Sequence, residues 1–358
     1  MSARSRSSAS ARCATRSKPS AERLTPRCRL SPFFRLTRIA AMPAADIAYV
    51  IFDHEDLDLT GRFFADFGLV PSYETADEIG LRAASALSDC YIARKAQGRP
   101  GLAAIGMRAD RMEMLAQVAE FPEASPVEPI ERPGGGWRVR LRSPDGLPFE
   151  LVHGIEPHRA ELPCREPLRI NHGQAKVRYG EWQRPEFEAT PVLRLGHVAI
   201  LTPDFRRNAE WLQSRFGMAP SDLLFDGQPE NLLGGFFHCK GAARWTDHHT
   251  LALFPGDEAR VHHTSFEVQD MDAQFLGNKW LLKRGWRPFW GVGRHILGSQ
   301  VFDYWYDPDG NLVEHFTDSD LVQPGCTPGL HQVDDDALAQ WGPPMPVSAF
   351  IDPWHTPR

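Results

Sequence analysis

The chain has 358 residues, 42% apolar and 24% charged, a globular composition long enough for two domains of ordinary size. The net charge of -6 is uneven: residues 1–44 hold nine Arg and one Lys against one Glu, leaving -15 on the remaining 314 residues. That acidic body argues against nucleic-acid binding, and no apolar run is long enough to span a membrane.

Six cysteines (Cys13, Cys28, Cys90, Cys164, Cys239, Cys326) are scattered without a CxxC pair. Their spacing argues against a zinc ribbon or disulfide framework and suits a reducing compartment, the cytoplasm. Residues 1–44 are rich in Ser and Arg with little apolar periodicity. They read as a disordered basic tail, with three origins open: a transit peptide, an interaction arm, or sequence ahead of a true start at Met42.

The folded pattern begins near Ala45. Ile47 to Asp53 reads as a strand, Leu59 to Gly68 as an amphipathic helix ended by glycine, and Leu102 to Asp110 as a strand. Trp137 to Val152 is strand, turn, strand. The stretch from Glu156 to Pro191, rich in Pro, Arg and Glu, reads as a linker. The same order then returns: strand Leu195 to Leu201, helix Arg206 to Met218, strand Val261 to Asp270, a helical stretch ending at Gly285, and a closing hairpin through Phe316. Pro144 and Glu150 in the first copy match Pro308 and Glu314 in the second. Such a repeat implies a duplicated α+β module whose strands can curl around a cavity.

The copies differ in chemistry. Where the second has His197, His263 and Glu314, the first has Tyr49, Ala104 and Glu150. Two imidazoles and a carboxylate can hold a metal, and a buried Glu needs such a partner, so the second copy is the expected working half. Glu150, without His companions, is expected to form a salt bridge.

The segment Gly293 to Glu314 holds His295, Tyr304, the turn Asp307 to Gly310, and Glu314. With His249 and the pair His262–His263 upstream, this pattern resembles the vicinal oxygen chelate superfamily, and within it the type I extradiol ring-cleaving dioxygenases. The resemblance covers roughly Ala45 to Leu321. It implies two tandem modules, each of paired βαβββ units: a metal-free one at 45–155, a linker at 156–191, and a catalytic one at 192–322. Residues 323–358 would be a C-terminal extension. It further implies Fe(II), with Mn(II) able to replace it, held by His197, His263 and Glu314. His249 would act as acid/base, and His295 and Tyr304 would bind the oxygens of an aromatic diol cleaved with O2. A homo-oligomer is also expected.

Two other readings keep the fold. One is a metalloenzyme akin to 4-hydroxyphenylpyruvate dioxygenase or glyoxalase; the other is a non-catalytic binding protein of the bleomycin-resistance type. The diol-binding set His249, His295 and Tyr304 and the complete triad favour the dioxygenase.

Strand alternation lets only one of His262 and His263 face the cavity. The resemblance selects His263, so His262 is expected to face outward with Thr264 and Phe266, under a helix or the other module. Asp303 is likewise expected to face away from Tyr304. His238, His248 and His315 are expected to be non-ligands. Phe236, Phe237, Trp245, Trp290, Phe302 and Trp305 read as core, some of them walling an aromatic-substrate pocket.

Overall fold

The computed structural model describes residues 44–241, 244–334 and 337–354, so the expectations for the basic tail lie outside the described residues. The first half runs β1 (Asp46–His54), α1 (Leu57–Phe67), β2 (Val70–Glu74), β3 (Glu78–Arg82), β4 (Tyr91–Lys95), β5 (Gly101–Arg108), α2 (Met112–Val118), β6 (Glu128–Pro129), β7 (Trp137–Arg142) and β8 (Pro148–His153). These strands form one sheet in the order β2-β3-β4-β1-β5-β8-β7-β6. Residues 154–191 then pass without helix or strand.

The second half repeats the plan with β9 (Val192–Thr202), α3 (Phe205–Phe216), β10 (Ala219–Phe225), β11 (Leu232–His238), β12 (Thr246–Asp247), β13 (Leu251–Pro255), β14 (Arg260–Val268), α4 (Met271–Arg284), β15 (Pro288–His295), β16 (Val301–Tyr306) and β17 (Leu312–Thr317). After β18 (Leu321–Val322), the chain adds β19 (Gly329–Gln332), β20 (Ala339–Trp341) and a short helix α5 (Val347–Ile351). The second sheet runs β19-β10-β11-β13-β9-β14-β17-β16-β15-β20, with β12 paired to β18 apart from it. The architecture is α+β, two sheet-rich halves with few helices. β19 and β20, from the segment expected only as an extension, form the two edges of the second sheet.

Local chemistry sets the helix ends. Asp56, Asp204 and Asp270 each accept a hydrogen bond from the backbone N–H three residues on, at 2.9, 3.1 and 2.9 Å. Gly68, Gly217 and Gly285 close the same helices in the left-handed conformation that glycine adopts without strain.

The repeat is exact in register where it matters. Tyr49 lies opposite Gly106, which lies beside Glu150; His197 lies opposite Ser265, which lies beside Glu314. Both halves also carry bulges at matching places. One residue of β5 (Ala103) and one of β14 (His262) are extra against their partners. A bulge breaks strict alternation and re-aims side chains, which overturns the expectation for His262 as shown below.

Paired contacts tie the halves together. The acidic residue of each closing turn reaches the end of the other half's first strand. Asp309 Oδ2 accepts from His54 Nδ1 at 2.5 Å, and Asp145 Oδ2 accepts from Thr202 at 2.6 Å. Asp66 on α1 accepts from Trp280, Arg284 and Trp286 on and after α4.

Of the aromatic set read as core, Phe237, Trp290, Phe302 and Trp305 are buried. Trp245 is not: it is 47% exposed, with Arg244 stacked on its ring. It sits in the β11–β13 connection, outside the sheet that buries the others.

Candidate active site

Three adjacent central strands of the second sheet, β9, β14 and β17, each send one polar side chain to the same face. His197 Nε2 is 3.2 Å and His263 Nε2 3.5 Å from Glu314 Oε2, and the two imidazole nitrogens are 3.4 Å apart. All three residues are buried, Glu314 completely. Among the described residues this is the group of three whose donor atoms could hold one ion.

The donors fit a divalent metal on two grounds. Three ligands at right angles and about 2.1 Å from one ion stand about 3.0 Å apart, close to the observed triangle. Second, Glu314 Oε2 is buried without a hydrogen-bond partner, while Oε1 accepts from Gln300 Nε2 at 3.1 Å. A lone carboxylate oxygen in a dry interior is costly unless a cation takes it.

The first half makes the opposite choice. Tyr49 donates to Glu150 Oε2, and Arg138 donates to Oε1 at 3.0 Å, so that carboxylate is satisfied by protein groups. The Tyr49 ring stands over Gly106, filling the space where the second half keeps Ser265 and its donors. The salt bridge expected for Glu150 is present.

The other expected residues surround the triad. His295 donates from Nδ1 to the Leu338 carbonyl at 2.8 Å, which leaves Nε2 to accept the Tyr304 hydroxyl at 2.9 Å. His249 packs its ring 4.1 Å from that of His197. Behind it, Asp222 Oδ2 accepts from His248 Nε2 at 2.8 Å, and His248 Nδ1 meets His249 Nδ1 at 3.1 Å. His197 and His263 of the triad, with His249, His295 and Tyr304, line one cavity of about 540 Å³, and Glu314 lies buried behind the two imidazoles. Phe236, Phe254, Leu338 and Phe350 form parts of its wall.

Burial dominates the electrostatics. It pushes the imidazoles of His263 and His249 well below their usual value, with neighbouring histidines adding to the effect, and lowers His295. Neutral imidazoles are the form that can bind a metal or accept a proton. Burial would also raise Glu314, but the closeness of His197 holds it below the ordinary carboxylate value. Tyr304 is raised well above the usual phenol, by burial and then by Glu314.

Asp303 faces away from Tyr304 as alternation requires, and accepts from Trp305 Nε1 at 2.7 Å and Asn278 at 3.0 Å. Burial raises its carboxyl to about 7 against those hydrogen bonds. The unfolded chain ionises this group near pH 4 and the folded protein only near 7, so stability is lost across that window. Asp303→Asn is therefore expected to gain on the wild type as pH rises from 4.5 to 8, by on the order of 2–4 kcal/mol. Urea denaturation at both pH values checks this; a difference that does not change with pH contradicts it.

Several lining residues escaped the sequence reading. Gln300 touches Glu314, while Leu338, Phe350, Ile351 and His331 come from the segment read only as an extension. The correction for His262 is larger. It does not face outward with Phe266, which packs on Phe67 and Tyr91 of the first half. Its ring nitrogens meet His263 and the Phe350 carbonyl, so the helix that covers it is the C-terminal α5. The bulge at this position is the cause.

With the geometry in place, comparison with known proteins gives a consistent family. Residues 194–315 match the family described as Glyoxalase/Bleomycin resistance protein/Dioxygenase superfamily. Metapyrocatechase 2 of Cupriavidus necator is 34% identical over 183 residues, 51% of this chain and 54% of that protein, so the match spans about half of that relative's length. The manganese-dependent 2,3-dihydroxybiphenyl 1,2-dioxygenase of Geobacillus genomosp. 3 is 24% identical over 83% of this chain and 93% of its own.

Two solved structures share the fold. Homoprotocatechuate 2,3-dioxygenase from Arthrobacter globiformis aligns with TM-score 0.70 at 21% identity, over 87% of this chain and 92% of its own. A Mn(II)-bound glyoxalase from Novosphingobium aromaticivorans aligns with TM-score 0.69 at 23% identity, over 86% and 94%. Identity this low speaks for the fold and leaves the reaction to the site. No helix among the described residues is long and apolar enough to cross a membrane. Residues 194–315 are a domain of the Glyoxalase/Bleomycin resistance protein/Dioxygenase superfamily, carried in a chain with the two-sheet α+β fold of the solved homoprotocatechuate 2,3-dioxygenases.

Proposed function

We propose that this protein is an extradiol dioxygenase: it inserts both atoms of O2 into a catecholic ring and opens the ring beside the diol. The observation that carries the reading is the orphaned Glu314 Oε2 beside His197 and His263, two residues that line the same cavity as His249, His295 and Tyr304. Residues 45–155 form the scaffold module and 192–322 the catalytic one, joined by 156–191.

His197, His263 and Glu314 would hold Fe(II), with Mn(II) accepted by the same donors. When bound, the metal would supply open coordination positions for a diol and for O2. The protein's own groups do the rest. Tyr304 and His295 orient one diol oxygen, and His295 Nε2, kept bare by the Leu338 carbonyl, accepts a proton passed through the tyrosine hydroxyl. His249, held by the Asp222–His248 pair, presents its Nε2 to the cavity as the second acid/base group. Burial holds both imidazoles in the neutral form, the form able to accept a proton.

The lining also speaks to the substituent on the ring. Among the described residues around the cavity there is no Lys or Arg, and Asp334 is the acidic one apart from the triad. Leu224, Phe236, Phe254, Leu297 and Ile351 supply apolar wall. A carboxylate there would be desolvated without a cation, a cost of several kcal/mol. The substrate is accordingly a catechol with an uncharged alkyl or aryl substituent.

An anaerobically metal-loaded enzyme should be offered 3-phenylcatechol, 3-methylcatechol and 3,4-dihydroxyphenylacetate, with O2 uptake and ring-opened product followed together. The uncharged diols are expected to win in kcat/KM by at least about 10²-fold. Preference for the carboxylated diol would overturn the substituent assignment, and no turnover of any diol would overturn the reaction.

A further inference from the structure

Strand alternation sets His262 aside as an outward residue, yet it is completely buried against the candidate metal ligand. Its Nε2 lies 2.6 Å from the carbonyl oxygen of Phe350, on α5. Its Nδ1 lies 2.7 Å from Nδ1 of His263. These two contacts fix the protons of both rings. A carbonyl oxygen only accepts, so His262 Nε2 must carry the hydrogen. A neutral imidazole has one N–H, which leaves His262 Nδ1 as an acceptor. The hydrogen between the rings therefore sits on His263 Nδ1. His263 Nε2 is left bare, and this is the atom that stands 3.4 Å from His197 Nε2 and 3.5 Å from Glu314 Oε2.

We propose that His262 is a positioning residue for the metal centre: it relays the Phe350 carbonyl to His263 and so fixes the tautomer and ring orientation in which His263 Nε2 can bind the metal. The inference rests on the metal centre proposed above. Metal-bound imidazoles are ordinarily steadied by an acceptor on their second nitrogen, and here a second imidazole fills that place without adding a negative charge.

Two further observations support the assignment. The bulge that turns His262 beside His263 is present in both halves, but in the first half it holds Ala103 next to Ala104. The relay histidine thus occurs where the ligand histidine does, and a packing role alone would not require that match. The second is that the same device recurs across the cavity, where Asp222 holds His248 and His248 meets His249 ring to ring. The relay also links metal affinity to the C-terminal segment: its far end is a backbone carbonyl of α5, and Phe350 and Ile351 of that helix wall the cavity.

The test uses the full-length protein stripped of metal and titrated with Mn(II), and anaerobically with Fe(II), against a competing chelator. His262→Phe keeps the ring volume and removes both polar contacts. It is expected to weaken metal binding 10- to 100-fold, about the usual cost of losing a ligand's hydrogen-bond partner. His262→Gln, whose amide can accept from His263 and donate to Phe350, should stay within about three-fold of the wild type. Wild-type affinity in His262→Phe would overturn the relay. Equal loss in Phe and Gln variants would also overturn it, since that points to packing.

Nitrogen-15 NMR of histidine-labelled, metal-free wild type decides the matter without any variant. His263 should carry its proton on Nδ1 and His262 on Nε2; a proton on His263 Nε2 sinks the proposal. A wild type that binds no metal but shows these tautomers would overturn the metal centre and, with it, the role of His262 toward a metal; the tautomers tell that failure apart from a misassigned hydrogen-bond chain.

Discussion

Glu314→Gln is expected to abolish tight metal binding and ring cleavage together while leaving the fold intact. Glu314 supplies the anionic member of the donor set, and its free oxygen faces Nε2 of His197 and Nε2 of His263. A neutral amide of the same shape removes that charge from the triangle. Losing several kcal/mol of charge interaction lowers affinity by at least about 10³-fold. The metal-free protein should not suffer, because the amide N–H groups can donate to His197 and His263, and the buried charge is gone. Metal analysis after gel filtration and a thermal melt of the metal-free variant check both halves. Retention of one metal per chain would place the centre elsewhere.

The second large effect is on turnover with the metal in place. Tyr304→Phe should keep one metal per chain and a near-normal melting temperature, and lower kcat by about 10²-fold or more. The ring keeps its stacked contact with Trp290 and its edge contact with His263, so packing survives. What disappears is the hydroxyl that reaches His295 Nε2, leaving that nitrogen without its partner at a cost near 1 kcal/mol. The loss should fall on kcat more than on KM, because the group orients a reacting oxygen and moves its proton. A variant with wild-type kcat would remove the Tyr304–His295 pair from the chemistry.

The parts of this protein legible in its sequence are those fixed by local rules. The Gly-ended helices, the paired hairpins with Pro and Glu six apart, and the substitution of Tyr49, Ala104 and Glu150 for His197, His263 and Glu314 all follow from residue order and repeat register. What escaped depends on long-range placement. β2, with the sequence VPSYE and mostly exposed, has a Pro and no alternation to mark it, yet it pairs at the sheet edge. β19 and β20 are recognisable only from the strands they meet, β10 and β15.

His262 failed for a different reason. Alternation was the correct rule for an unbroken strand, and one extra residue in β14 suspended it at the position where the choice had to be made. Nothing in the local sequence HHTSF announces that bulge, though the same slip in β5 shows it belongs to the repeat.

The central claim is one working metal centre per chain, in the second half, that joins a diol to O2. Its most direct test is anaerobic titration of metal-free protein with Fe(II) in the presence of 3-phenylcatechol, followed by a measured pulse of O2. The account predicts activity rising linearly to a break at one Fe(II) per chain, with one O2 consumed for each ring-opened product and no break in His263→Ala. Two equivalents per chain, oxygen uptake without ring opening, or full activity in His263→Ala would contradict it.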